Sequence, residues 1–104
     1  MTDKSVEQAS SEEASVKVEK KIKVTNKLGV HARPAALFVQ TANQFESDIW
    51  VKKGKQKVNG KSIMGLMMLA AGPGSQITLM VEGRDAEAAV EALERLFLNK
   101  FGEE

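Results

Sequence analysis

Cysteine is absent from the 104 residues. That excludes disulfides and thiolate metal sites, and it suits a reducing compartment. Tyrosine is absent too, and the aromatics are four Phe and one Trp. An α+β module that binds RNA stacks bases on several sheet aromatics. With Phe38 and Phe97 falling in helical patterns, Trp50 alone makes a poor platform. There is a single histidine. Without Cys or a dense carboxylate cluster, little is present for a metal centre or for a small acid–base enzyme. Neither a metal nor a cofactor is expected. The longest strongly apolar stretch, residues 63–71, is too short to cross a bilayer. The first twenty residues lack the apolar core of a secretory signal. The expectation is a cytoplasmic protein without a membrane partner. A net charge of only +1 argues against a dedicated nucleic-acid binder.

That small net charge hides an asymmetry. Residues 1–19 carry Lys4 and Lys17 against Asp3, Glu7, Glu12, Glu13 and Glu19, a net of −3, which leaves the remainder at +4. The first segment is also poor in large apolar side chains. Such a segment cannot bury enough surface to offset its ordering entropy. Residues 1–19 are therefore read as a flexible tail, whose acidic composition either modulates a basic partner site or, the favoured reading, does nothing measurable, and residues 20–104 as one folded domain.

Within that domain, Ile22 and Val24 alternate with Lys21 and Lys23, as in a half-buried strand. After a break at residues 26–29, a helix follows over residues 32–43. Ala35, Phe38, Val39 and Ala42 form its apolar face. Ile49 and Val51 mark a second strand, with Trp50 on its other face, and Val58 marks a third after a turn at Gly54. Ser62 precedes a short apolar helix over residues 63–69, on which some of Met64, Met67 and Met68 should be core. Gly72, Pro73 and Gly74 end it. Ile77, Leu79 and Val81 alternate as a fourth strand. Asp85 then caps a last helix, with Ala86, Ala89, Val90, Leu93 and Phe97 facing inward. The order βαββαβα implies an α+β fold, with helices on one face of an antiparallel sheet.

His31 stands where the first loop meets the first helix, with Arg33 and Pro34 close behind. A lone histidine is more often a surface or satisfied core residue than a functional one. Here its neighbours change the odds. Pro34 falls in the first turn, where a missing N–H costs no intrahelical bond. The free N–H groups of that turn and the positive end of the helix dipole form an anion site. The Arg33 guanidinium adds a fork suited to phosphate oxygens. Positive surroundings lower an imidazole pKa and keep it nucleophilic. The local pattern is thus a nucleophile beside an anion site. It fits phosphoryl transfer, and equally the binding of sulfate or a carboxylate metabolite.

The run Gly29-Val30-His31-Ala32-Arg33-Pro34-Ala35 resembles the active-site motif of HPr, the phosphocarrier family of the bacterial phosphoenolpyruvate-dependent phosphotransferase system. A second run, from Val58 through Ser62 to Leu66, resembles that family's regulatory serine segment, at the expected separation. The resemblance covers about residues 20–100. It implies an open-faced β-sandwich, a four-stranded antiparallel sheet with three helices on one face. It also implies a carrier, not an enzyme that turns over alone. Enzyme I would pass a phosphoryl group to Nδ1 of His31, and IIA proteins would take it. Arg33 and the backbone N–H groups of Ala32 and Arg33 would hold the phosphoryl oxygens. Ala36, Gln40, Ile63, Met64 and Met67 would contact partners. Ser62, also a good helix cap, would be the target of HPr kinase/phosphorylase where that enzyme occurs.

Two features depart from the common pattern. Leu28 stands where many members have Ser or Asn, and Asn-Lys-Leu-Gly resembles the nitrogen-related branch, whereas the Ser62 segment resembles the sugar branch. The branch is left open. The tail before Lys20 is not typical of the family either. A regulator that acts only through Ser62 is the rival reading. Family members of that kind have lost the active histidine, whereas His31 and Arg33 are both present here. Carriers of this type usually work as monomers.

Overall fold

The computed structural model describes residues 16–25, 32–69 and 71–102. Alternation builds its sheet. In β2 (Asp48–Lys53) Ile49 and Val51 are buried, and in β4 (Gln76–Glu82) Ile77, Leu79 and Val81 are buried. β1 (Lys17–Lys23) adds Ile22, with Val24 buried just beyond its end, and β3 (Gln56–Asn59) adds half-buried Val58. All pairings are antiparallel, in the order β1-β4-β2-β3. Register sets Ile22 against Ile77, Leu79 against Val51, and Val81 against Ile49. A slip of one residue would turn each apolar set to solvent.

The strand edge corrects one expectation. β1 begins at Lys17, not at residue 20, and Lys17, Val18 and Glu19 lie opposite Glu82, Val81 and Met80. Val16 and Val18 pack against the core, and the Val16 carbonyl accepts from the Gly83 N–H at 2.8 Å. Pairing with a central strand recruits residues whose side chains are too polar to announce one. Residues 1–15 lie outside the described residues, and so does the expectation that they are flexible.

Three helices, α1 (Ala32–Ala42), α2 (Ile63–Leu69) and α3 (Ala86–Leu98), cover the apolar side of the sheet. α1 buries Ala35, Phe38, Val39 and Ala42, and α3 buries Ala86, Ala89, Val90, Leu93 and Phe97, as their spacing implies. The Phe38 and Phe97 rings meet edge to face at 6.2 Å. α2 is different. Its buried residues are Leu66 and Leu69, while Met64, Met67 and Met68 are all exposed. The expectation that some of these methionines are core is overturned, because the two leucines fill the inner positions of so short a helix. A closing turn, Lys100–Gly102, tucks buried Phe101 against Phe97, with ring centroids 4.8 Å apart.

Asp85 also behaves differently from its sequence reading. It precedes α3, yet its side chain makes no capping bond there. Instead it accepts hydrogen bonds from the Glu46 and Ser47 N–H groups, each at 3.0 Å, and from the Ser47 hydroxyl. It thus ties the α1–β2 connection to the β4–α3 turn. Gly83 makes this approach possible, since a Cβ there would stand 2.7 Å from the Ser47 Cα. Among the described residues, no helix is long and apolar enough to cross a membrane.

Candidate functional site

The N-terminal turn of α1 is anchored by its third residue. Pro34 is buried, as is Ala35 beside it, so the start of the helix is pinned to the core. The first N–H groups of an α-helix have no carbonyl within the helix to accept them. Pro34 has no N–H to leave over. Ala32 and Arg33 therefore supply the helix's outward donors, and both residues are exposed. No acidic side chain lies in this turn, so the positive end of the dipole is not offset from within α1. Among the described residues, Arg33 makes no ion pair. His31 immediately precedes Ala32 in the chain and lies outside the described residues. The expectations for its imidazole, and for Leu28, lie there with it.

A second constellation stands at the start of α2, which touches α1. The Ser62 carbonyl accepts the Leu66 N–H at 3.1 Å, and its Oγ accepts the Gly65 N–H at 3.0 Å. Ser62 is thus a helix cap, as its residue type suggested. The segment before it is held firmly. The Gly60 N–H donates to the Ile49 carbonyl at 2.7 Å, and the Lys61 N–H to Asn59 Oδ1 at 2.8 Å. The Lys61 ammonium donates to the Phe45 carbonyl at 2.8 Å. Gly60 must be small, because a Cβ there would lie 2.6 Å from Ile49 Cγ2. The Ser62 side chain is half-buried, and α2 has no acidic residue in its first turn to repel added negative charge.

Between and beyond these two starts lies apolar surface. Ile63, Met64, Met67 and Met68 are 43%, 72%, 45% and 66% exposed, too much for residues of such hydrophobicity to be incidental on one short helix. On α1, Ala36 is half-buried and Gln40 exposed. The five residues expected to meet partners are therefore all at least partly accessible. Met68, four residues after Met64, is exposed on the same side of the helix.

A family model described as the PTS HPr component phosphorylation site matches residues 18–99. The chain belongs to the HPr family. Phosphocarrier protein HPr of Treponema pallidum is 56% identical over 87 residues, which cover 84% of this chain and 99% of that protein. The crystal structure of an HPr from Thermoanaerobacter tengcongensis matches with a TM-score of 0.81 at 55% identity, covering 84% of this chain and 98% of that one. The solution structure of Crh, the Bacillus subtilis catabolite repression HPr, matches with a TM-score of 0.59 at 50% identity, covering 77% of this chain and 95% of that one. The open sheet with three helices is thus the HPr fold. The role that goes with the family is that of a phosphocarrier in the bacterial phosphotransferase system, not of a classical enzyme.

Proposed function

We propose that His31 of this HPr-family chain is the residue that carries the phosphoryl group, taking it from phospho-Enzyme I and giving it to a IIA protein. The carrying observation is the first turn of α1, where exposed Arg33 and the outward N–H donors of Ala32 and Arg33 directly follow His31 in the chain. Neutral Nδ1 of His31 attacks phosphorus as the bond to the donor breaks. The charge on the phosphoryl oxygens then meets the Arg33 fork and the helix terminus. Stabilisation must stay modest, because the bond has to break again at the next partner. Exposed Ile63, Met64 and Met67, with Ala36 and Gln40 of α1, form the docking surface for Enzyme I and IIA proteins. The carrier acts as a cytoplasmic monomer. HPr kinase/phosphorylase, where present, adds a phosphate to Ser62.

A test mixes the protein with phosphoenolpyruvate, magnesium and Enzyme I and reads the intact mass before and after acid treatment. One phosphoryl gain, labile in acid and lost in His31→Ala, is expected. No gain with a cognate Enzyme I refutes the relay.

A second reading, regulation through phospho-Ser62 without relay, draws support from the likeness to a catabolite repression HPr and from the cap position of Ser62. A phosphate gained from ATP and the kinase that is stable in acid and absent in Ser62→Ala, with no gain at His31, favours it. The sugar and nitrogen branches are separated by which IIA protein accepts the group.

A further inference from the structure

The face of the sheet opposite the helices has no described element over it, and its charge is unevenly placed. In one row across the strands, Lys21 of β1 lies opposite Thr78, Thr78 opposite Lys52, and Lys52 opposite Lys57. Lys23 follows on the same face one step further along β1. At ~4.8 Å between strands, Lys21 and Lys52 stand about 10 Å apart, and the Lys52–Lys57 pair is directly cross-strand. Like charges in that arrangement repel. Among the described residues, no carboxylate pairs with Lys21, Lys23 or Lys52. The row borders a shallow depression of about 360 Å³ whose lining includes Lys21, Lys52, Thr78 and Met80, with Glu19 on the side toward the acidic end of the face. Beside it lies Trp50, 37% exposed, with the Lys57 ammonium 5.0 Å from its ring centroid. The opposite end of the face is acidic, with Asp48 and Glu82 in the Lys17 row.

We infer that this basic row is a docking site for the chain's own acidic segment, residues 1–15. Three observations select that occupant. The segment carries Asp3, Glu7, Glu12 and Glu13 against Lys4, the sign the row requires. It joins the fold at Val16, directly before the edge strand that borders the face. It is also long enough. Fifteen residues reach up to ~50 Å when extended, whereas the seven residues of β1 span only about 23 Å. The acidic end of the face lies at the point of entry, so repulsion there drives the segment onward toward Lys21 and Lys52. The tether supplies an effective concentration of roughly millimolar order, so a few exposed charge pairs, each weak alone, act together. The contact is electrostatic and shallow, and it loosens as salt rises. The site stands apart from the α1 and α2 surface proposed for partners, and it holds whether or not His31 is the acceptor.

The absence of cysteine permits a clean test on the full chain. Ser10→Cys carries a single nitroxide label, and amide signals are read by NMR at low salt. Signals of Lys21, Lys52 and Thr78 should lose about half their intensity, while those of Met64 and Met68 on α2 stay sharp. About 0.5 M sodium chloride should restore the signals by screening, and so should the combined Glu7→Gln, Glu12→Gln and Glu13→Gln. Trp50, the only tryptophan, provides a label-free check, since the triple variant should make it easier for acrylamide to quench. Absent or uniform broadening overturns the proposal. So does broadening confined to α1 and α2, or broadening that appears only between labelled and unlabelled molecules in a mixture, which would mean a second copy.

Discussion

Replacing Asp85 by Ala should destabilise the domain by about 2–4 kcal/mol. The carboxylate accepts from the Glu46 N–H, the Ser47 N–H and the Ser47 hydroxyl, and Ser47 is 2% exposed. A buried donor left without a partner costs about 1–3 kcal/mol, and a hydrogen bond to a charged group contributes about 1.5–3. The Glu46 N–H lies at an exposed residue and can turn to water, so the total stays below the sum of three full bonds. Asp85→Asn keeps an acceptor and loses the charge, and should cost roughly half as much. The same bonds give a pH signature. Bonding from the Ser47 hydroxyl and then from the Glu46 N–H lowers the Asp85 pKa below its ordinary 3.8. A carboxyl with a lowered folded pKa contributes stability that is complete above its unfolded value. That contribution is lost as pH falls below 3.8 through the folded value. Urea unfolding followed by Trp50 fluorescence, at pH 7 and down to pH 2.5, measures both effects. The gap between wild type and Asp85→Asn should narrow at the acid end. A loss in Asp85→Ala under about 0.5 kcal/mol, the range of ordinary surface changes, would refute the reasoning.

Other substitutions separate function from stability. Arg33→Gln should lower the rate of phosphoryl transfer from Enzyme I about 10–100-fold by removing charge-assisted bonds, with stability changed by less than about 0.5 kcal/mol because Arg33 is exposed. Stopped-flow transfer and a thermal melt check the two halves. Ser62→Ala should cost about 1 kcal/mol through the lost cap to Gly65, leave transfer to His31 intact and abolish the acid-stable phosphate. Gly60→Ala should cost about 1–3 kcal/mol in a urea melt, since its Cβ would press on Ile49 Cγ2 at 2.6 Å and Phe38 Cε1 at 3.2 Å. Met64→Asp should weaken Enzyme I binding about tenfold by titration calorimetry, as the loss of one apolar anchor would, with an unchanged melting temperature because the side chain is 72% exposed.

The order of elements was legible because periodicity is local information. The inner faces of α1 and α3 could be read residue by residue, since each helix is long enough to show its 3.6-residue repeat. The start of β1 could not, because Lys17, Val18 and Glu19 are held by Glu82, Val81 and Met80, some sixty positions away. Asp85 was misread for the same reason. Its local position says cap, while its partner Ser47 lies 38 residues earlier. The methionines of α2 were misjudged because two turns of helix offer room for few inward residues, and Leu66 and Leu69 took them. Near the proposed site, the cap expected of Ser62 from its residue type was legible, since it is local, and Arg33 is exposed at the start of α1.

The placement of β4 between β1 and β2 has a consequence for biosynthesis. The strand that joins the sheet together is the last one made. Until Gln76–Glu82 has left the ribosome, β1 has no neighbour, and β2 and β3 can form only an isolated hairpin, which is marginal in water. At a typical 5–20 residues per second, translation from the end of β1 to the end of β4 takes ~3–12 s. A nascent strand exposed for that long invites pairing with other chains. β1 reads Lys-Val-Glu-Lys-Lys-Ile-Lys, five charges in seven residues. Its sparse apolar content, which concealed where the strand starts, keeps the emerging chain soluble until its partner arrives.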